Sequence, residues 1–437
     1  MSDNLRFRIL NLTKKYYKTS FNNKLNPKKD YVPTSGKVFD ETELMNLVGS
    51  SLDFWLTEGR YNLMFERELS RFSDLKYVAT VNSGSSANLL AFYALTSPQL
   101  GIRAIRKGDE IIEVATCFPT TLSPVVQFGC FPVFVDSSIP FYNPLARDVL
   151  KAVTPKTKAI FLAHTLGNPF EVEEIASYCK KNNIWLIEDC CDALGAEYKG
   201  KKVGTFGDIS TLSFYPAHQI TCGEGGAVMT NDAGLSKIVR SFRDWGRDCW
   251  CAPGKENTCG IRFDWQLGKL PKGYDHKYIY SHLGFNLKMT DMQASIGLAQ
   301  IKKIKKFIKK RRENHELLST RLAKFEKFFI LPKATEKSIP SWFGFVLTIR
   351  DKMPFTRLEL VQYLEKNRIG TRLLFGGNIT RQPAMENVSY RIHGKLKNSD
   401  KIMNDTFWIG CYPAINSQTI GYVVKVFDNF FKMKGLP

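Results

Sequence analysis

Tyr77-Val78-Ala79-Thr80-Val81-Asn82-Ser83-Gly84-Ser85-Ser86-Ala87-Asn88 reads as a short β-rich run that passes through a Gly/Ser turn into a helix. Such a turn aims backbone N–H groups and hydroxyls along a helix N-terminus, a ready site for phosphate, and a plain N-cap among Ser83 to Ser86 also accounts for it. The same rhythm spreads outward. Glu110–Val114, Phe131–Val135, 159–163, 184–187 and Gly226–Thr230 are strand-like, several of them nearly all apolar, as parallel strands covered on both faces are. Helical stretches at 87–95 and 172–181 lie between them, so the region reads as α/β with a mostly parallel sheet, whose ligands bind beyond the carboxyl ends of strands.

The 437 residues, 43% hydrophobic and 24% charged, describe a folded chain large enough for two domains. No apolar run reaches the roughly 20 residues of a membrane span and no secretory signal opens the chain, so a cytoplasmic location is expected. Lys plus Arg outnumber Asp plus Glu by 62 to 42, giving +20, which suits either an anionic partner or a Lys-rich solvated surface. Ten cysteines without an export signal point to reduced thiols, some of them free to bind metal.

Residues 1–34 read as a basic N-terminal arm and 35–295 as the large α/β domain. Within that domain, 243–280 form a Cys-, Trp- and Gly-rich insertion with no clear period and too many aromatics for disorder. Helical pattern returns at 291–300 and continues through 301–312, where Ile301, Ile304, Phe307 and Ile308 mark one face and eight Lys/Arg fill the others, the mark of a solvated basic back. Residues 296–437 suggest a smaller C-terminal α+β domain.

Three further segments carry chemistry. Trp185-Leu186-Ile187-Glu188-Asp189 is an apolar strand ending in a carboxylate, which either pairs with a cationic ring nitrogen or caps the next helix. Ser213-Phe214-Tyr215-Pro216-Ala217-His218 leads into Gly223-Glu224-Gly225-Gly226, and a histidine so placed is either structural or catalytic. Cys249-Trp250-Cys251 and Cys259, with Cys191 in Asp189-Cys190-Cys191-Asp192, give four thiols in a C-x57-C-x1-C-x7-C arrangement. Four thiolates hold zinc or an iron–sulfur cluster, and spacing does not choose between them.

In this order, the phosphate-type turn, the strand-end Asp and the Ser with a functional group five residues on before Gly-Glu-Gly-Gly resemble the pyridoxal-phosphate sugar aminotransferases that act on nucleotide-linked keto sugars. The resemblance spans roughly residues 35–435 and includes Gly129 to Asp136 and Gly284 to Ala294. It implies a large domain like that of aspartate aminotransferase, of fold type I, and a homodimer. It also implies that Ser85, Ser86 and Ser213 hold the cofactor phosphate, Phe118 stacks on the ring, Asp189 pairs the pyridinium nitrogen, and Asn286 reaches the neighbouring subunit's phosphate. The family normally places lysine where His218 stands, and no lysine occurs between Lys202 and Lys237. Histidine forms no stable imine but moves a proton, so the resemblance implies untethered pyridoxamine 5′-phosphate, His218 as general base, and a dehydration.

The cysteine set and its context, Asp244 to Cys249 and Tyr274 to Tyr278, look like the histidine-type 3-dehydratases that act on CDP-4-keto-6-deoxyglucose and carry a [2Fe-2S] cluster. That likeness implies Cys191, Cys249, Cys251 and Cys259 as cluster ligands, a CDP-linked 4-keto-6-deoxyhexose as substrate, and an NADH-dependent flavin/iron–sulfur reductase as electron source. Arg372 becomes a candidate for the substrate diphosphate. Two alternatives stand beside it: a cluster-free 3-dehydratase of the GDP-4-keto-6-deoxymannose type, and a zinc-stabilised nucleic-acid binder. Against the latter, the basic residues are spread along the chain and the cysteines form no repeated finger.

Overall fold

The computed structural model describes residues 2–21, 25–27, 29–251 and 253–436. Among these, the main sheet has eight strands in the order Tyr77–Val81, Gly226–Thr230, Ile209–Ser213, Trp185–Asp189, Thr157–Ala163, Glu110–Val114, Phe131–Val135 and Arg391–Ile392. Pairings are parallel from Ile209–Ser213 onward, and Gly226–Thr230 runs antiparallel to both of its neighbours. The near-continuous apolar runs follow from this placement, because Glu110–Val114 and Trp185–Asp189 are buried at every position. The Ile209–Ser213 strand escaped the sequence reading because Ser210 and Thr211 break its apolar pattern. Both are fully buried, and Thr211 Oγ1 donates to Asn88 Oδ1 at 2.6 Å, which satisfies a hydroxyl the interior would otherwise penalise.

The C-terminal part builds a second core on the antiparallel strands Phe329–Ile330, Gly344–Ile349 and Thr406–Gly410. Helices Ile304–Leu322, Arg357–Lys366 and Ser417–Met433 contribute to that core, where Phe328 and Phe431 stack at 4.2 Å. The two cores exchange chain. Arg391–Ile392 closes the edge of the large sheet, and Val32 bridges to Ile369 in the small core. Helix Ile304–Leu322 serves both cores, with Ile304, Phe307 and Ile308 in the large one and Leu318 and Leu322 in the small one.

Three expectations take a more definite shape. Most of the basic arm is a helix, Ser2–Ser20, fastened to helix Glu41–Asp53 by Arg6, whose guanidinium donates to Gly49 O at 2.6 Å and Asp53 Oδ1 at 2.8 Å. The arm's positions 22–24 and 28 lie outside the described residues, as does residue 252 of the Cys-rich insertion. Among its described residues after helix Ala233–Arg243, that insertion holds one regular element, the turn His276–Tyr278, which explains its lack of period. The run through 291–312 is two helices, Asp291–Ile301 and Ile304–Leu322, and Arg311 departs from the expected solvated back by being 1% exposed.

Candidate active site

The carboxyl ends of the central strands open into a cleft of ≈ 460 Å³ whose walls include Ser85, Phe118, Asp189, Ser213, His218 and Arg372. Residues far apart in sequence thus meet where an α/β sheet offers its binding crevice. The Gly/Ser turn is a cap and a cleft wall at once. Ser83 caps helix Gly84–Ala94 by accepting the Ser86 N–H at 3.0 Å and donates its hydroxyl to Ser86 Oγ, while Ser85 faces the cleft. Ser86 therefore belongs to the cap and is not part of the cleft wall. Close approach requires two glycines. A Cβ on Gly84 would stand 2.4 Å from Ser213 Cβ, and one on Gly226 would stand 2.4 Å from the Ser83 carbonyl oxygen. The Gly-Glu-Gly-Gly stretch thereby lets the turn settle against the strand that ends in Ser213.

Asp189, 5% exposed, forms the floor. Its carboxylate accepts from Asn88 Nδ2 at 2.8 Å, Thr121 Oγ1 at 2.9 Å and the Cys191 N–H at 3.0 Å. No helix follows it within the next residues, so its position fits a partner for a cationic ring and not a cap. Asn88 and Thr121 carried no role in the sequence reading, since amides and hydroxyls on helices are too common to flag. Glu113 lies nearby, fully buried, with both carboxyl oxygens unpartnered. Burial first, and then the Asp189 charge, push it well above the usual carboxylate range.

His218 Nδ1 lies 3.3 Å from Asp192 Oδ1, and its ring packs on Phe343 at 5.1 Å between centroids. Asp192 Oδ2 has no hydrogen-bond partner among the described residues. Sequence reasoning passed over Asp192, although it sits one turn beyond Asp189, where a strand-end loop faces the same cleft. Among the described residues lining the cleft, none is lysine. Arg372 is exposed at the mouth, its Nη1 donating to Thr371 O at 2.8 Å. Asn286 lies outside the cleft on the surface, where it accepts from Lys288 Nζ at 2.7 Å.

The predicted thiols divide. Cys249 Sγ lies 3.3 Å from His276 Nε2, and Cys259 Sγ lies 3.4 Å from His276 Nδ1. The ligand atoms of Cys249, Cys251 and His276 fall within 4.8 Å of one another. Cys191 is not among them; it lines the cleft, where burial and then Asp189 raise its thiol pKa. Burial also raises Cys249, whereas at Cys251 hydrogen bonds from Thr258 outweigh burial and lower it. The thiols of Cys249 and Cys251 and a buried imidazole, 1% exposed, form a donor set suited to a thiophilic metal, with Cys259 on the Nδ1 side of the ring. His276 was missed as a donor because attention fell on cysteines alone.

The cleft residues fit a pyridoxal-type cofactor: a Gly/Ser turn at a helix N-terminus, beside Ser85 and Ser213, for a phosphate, and the Asp189 carboxylate for a ring nitrogen. Fold and site together define the fold-type I aminotransferase class. Within it, the chain belongs to the DegT/DnrJ/EryC1/StrS aminotransferase family, whose model matches residues 39–428. It is 55% identical over 435 residues to the lipopolysaccharide biosynthesis protein RfbH of Salmonella typhimurium, covering 98% of this chain and 99% of that one. It is 52% identical over 396 residues to the dTDP-4-dehydro-2,6-dideoxy-D-glucose 3-dehydratase of Saccharopolyspora spinosa, covering 91% and 86%. Among solved structures, the E. coli GDP-4-keto-6-deoxy-D-mannose-3-dehydratase with bound hydrated PLP superposes with a TM-score of 0.81 at 28% identity, covering 90% of this chain and 98% of that one.

Proposed function

We propose that this chain is a pyridoxamine-phosphate-dependent lyase that removes water across C3 of a CDP-linked 4-keto-6-deoxyhexose, the first half of C3 deoxygenation in 3,6-dideoxysugar and O-antigen biosynthesis. The observation that carries the reading is His218 in a cleft with no lysine among its described lining residues, with Asp192 beside it and Asp189 on the floor. Two of the relatives described above are named 3-dehydratases, and a third is named for lipopolysaccharide biosynthesis. Bound there, the cofactor would supply an amine for the sugar ketone and an electron-withdrawing ring.

Ser85, Ser213 and, through its place in the capped turn, Ser86 would hold the phosphate, Phe118 would cover one face of the ring, and Asp189 would accept the ring N–H. Asn286 serves the site of a second copy in a homodimer, and Arg372 receives the substrate diphosphate. With Nδ1 beside Asp192, His218 Nε2 is the nitrogen that takes up the C4′ proton and returns it to the departing C3 hydroxyl. Asp192 steadies the imidazolium formed on the way. A [2Fe-2S] cluster on Cys191, Cys249, Cys251 and Cys259 would supply one-electron transfer, fed by an NADH-dependent flavin/iron–sulfur reductase. A second reading has its own observation: His276, grouped with Cys249 and Cys251, favours zinc held by thiolates and an imidazole.

The test is an absorption spectrum of anaerobically purified protein with iron and acid-labile sulfide analysis, followed by NMR of products from CDP- and dTDP-linked 4-keto-6-deoxyglucose. About two irons and two sulfides per chain support the cluster. Zinc, or no metal, sinks the electron-transfer half, and failure to release C3 hydroxyl from either sugar sinks the dehydration.

A further inference from the structure

Arg311 is a fully buried cation, and among the described residues no carboxylate lies within ion-pair distance of it. Its Nη1 donates to the Trp342 and Phe343 carbonyls, both at 3.2 Å, and its Nη2 donates to the His218 carbonyl at 3.0 Å and the Ala217 carbonyl at 3.4 Å. Its Nε has no partner. Burying an ion without an ion-pair partner is expensive, and burial, offset only in part by charges such as that of Asp192, pulls this guanidinium's pKa down from its ordinary value. A core position that needed only volume would hold a leucine or methionine.

The four carbonyls come from two segments that border the cleft and also meet where Gln219 Nε2 donates to Ser341 O at 2.9 Å. Residues 217 and 218 form the irregular turn after strand Ile209–Ser213 of the large sheet, and residues 342 and 343 lead into strand Gly344–Ile349 of the small one. Phe343 from the second segment packs on the imidazole of the first. The His218 Nδ1 approaches Asp192 Oδ1 at 3.3 Å without hydrogen-bond geometry, so the backbone of the turn shares in holding the side chain in place. A planar fork that binds two pairs of carbonyls at once fixes their relative position, as a lysine's single ammonium cannot.

We propose that Arg311 is a positioning residue of the cleft: together with the Gln219 contact to Ser341, its guanidinium ties the His218 turn to the Phe343 segment and so sets where the residue-218 side chain stands relative to the cofactor. The inference rests on the proposed cofactor site but not on the sugar reaction. In a His218→Lys background, the amine at position 218 becomes a ruler, since it captures pyridoxal phosphate only when correctly placed. Capture is measured by borohydride trapping and peptide mass at residue 218, alongside the Kd for non-covalent pyridoxal phosphate and a thermal melt.

The expected result is that adding Arg311→Met slows capture at residue 218 by about tenfold or more, as misplacement by an ångström does, with the Kd unchanged. Adding Arg311→Lys, which keeps charge and much of the volume but cannot span both segments, should slow capture likewise. Methylguanidinium added to a His218→Lys, Arg311→Ala protein should restore it. Capture at the His218→Lys rate in the folded Met or Lys variant overturns the proposal. If Arg311→Met fails to fold, the Lys variant decides. Loss of capture on altering Arg311, in a protein that never dehydrates a sugar, would refute the reaction reading alone.

Discussion

Replacing Gly84 by alanine tests whether the turn and the Ser213 strand form one phosphate site. The new Cβ would stand 2.4 Å from Ser213 Cβ, 2.6 Å from its Oγ and 3.1 Å from its Cα, against an ordinary carbon–carbon contact of about 3.5–4.0 Å. Something must move by roughly an ångström. Ser213 has little room, being 9% exposed at the end of a paired strand, and the turn is held from below by the close approach of Ser83 to Gly226. Overpacking of this kind costs about 1–3 kcal/mol. Displacing the Ser213 hydroxyl from an anion forfeits a charge-assisted bond of about 1.5–3 kcal/mol, a loss of roughly 10–100-fold in affinity for pyridoxamine phosphate. Denaturant unfolding and a cofactor titration read the two quantities separately. Adding Ser213→Gly removes the two nearest atoms, so the double variant should regain most of the stability, less about 1 kcal/mol for glycine in a strand, while affinity stays low. A Gly84→Ala protein with unchanged unfolding free energy and unchanged affinity would refute the steric argument and the shared-site argument together.

Asp192→Asn keeps the shape beside His218 Nδ1 but removes its charge; turnover of the 4-keto sugar should fall roughly tenfold or more with cofactor Kd unaltered, and equal turnover would remove Asp192 from the mechanism. His315, stacked on Trp342 at 3.8 Å, is held by burial at a pKa of about 3, so the unfolded chain takes up its proton first as pH falls. Its contribution to stability is intact above the unfolded value of about 6.5, is eroded by about 2 kcal/mol at pH 5, and continues to fall toward pH 3; His315→Phe should flatten that slope in urea melts. Cys191→Ser and Cys251→Ser should each bring iron below two per chain if all four thiols ligate, whereas a full complement in Cys191→Ser would leave the cleft thiol out of the set.

The large sheet was legible because strands buried on both faces must be apolar: Tyr77–Val81, Glu110–Val114, Phe131–Val135 and Gly226–Thr230 stand where their composition places them. Ile209–Ser213 was hidden because Ser210 and Thr211 break its apolar run, and the partner that satisfies the Thr211 hydroxyl, Asn88, lies more than a hundred residues away. The Ser2–Ser20 helix was hidden by its charge, since Arg6 and its neighbours read as an arm until Gly49 and Asp53 are seen to receive them. At the site, order along the chain pointed to Ser85, Asp189, Ser213 and His218, which line one cleft. Asn88, Thr121, Asp192, Arg311 and His276 act through contacts between distant segments, and a single sequence holds no periodicity that marks them. Asn286 lies on the surface of one chain, and no feature of that chain alone defines what it would touch.

The exchange of chain between the two cores governs how the molecule can be made. During synthesis the large sheet lacks its edge strand until residues 391–392 leave the ribosome, and Val32, made early, waits for Ile369 before its place in the small core exists. Neither unit is complete from a continuous piece, so the nascent chain carries an open sheet edge and an unfilled core through most of translation. Such intermediates are the aggregation-prone stage of large-protein folding. Yield from a cell should therefore depend on elongation rate and on holdase chaperones more than on the stability of the finished fold.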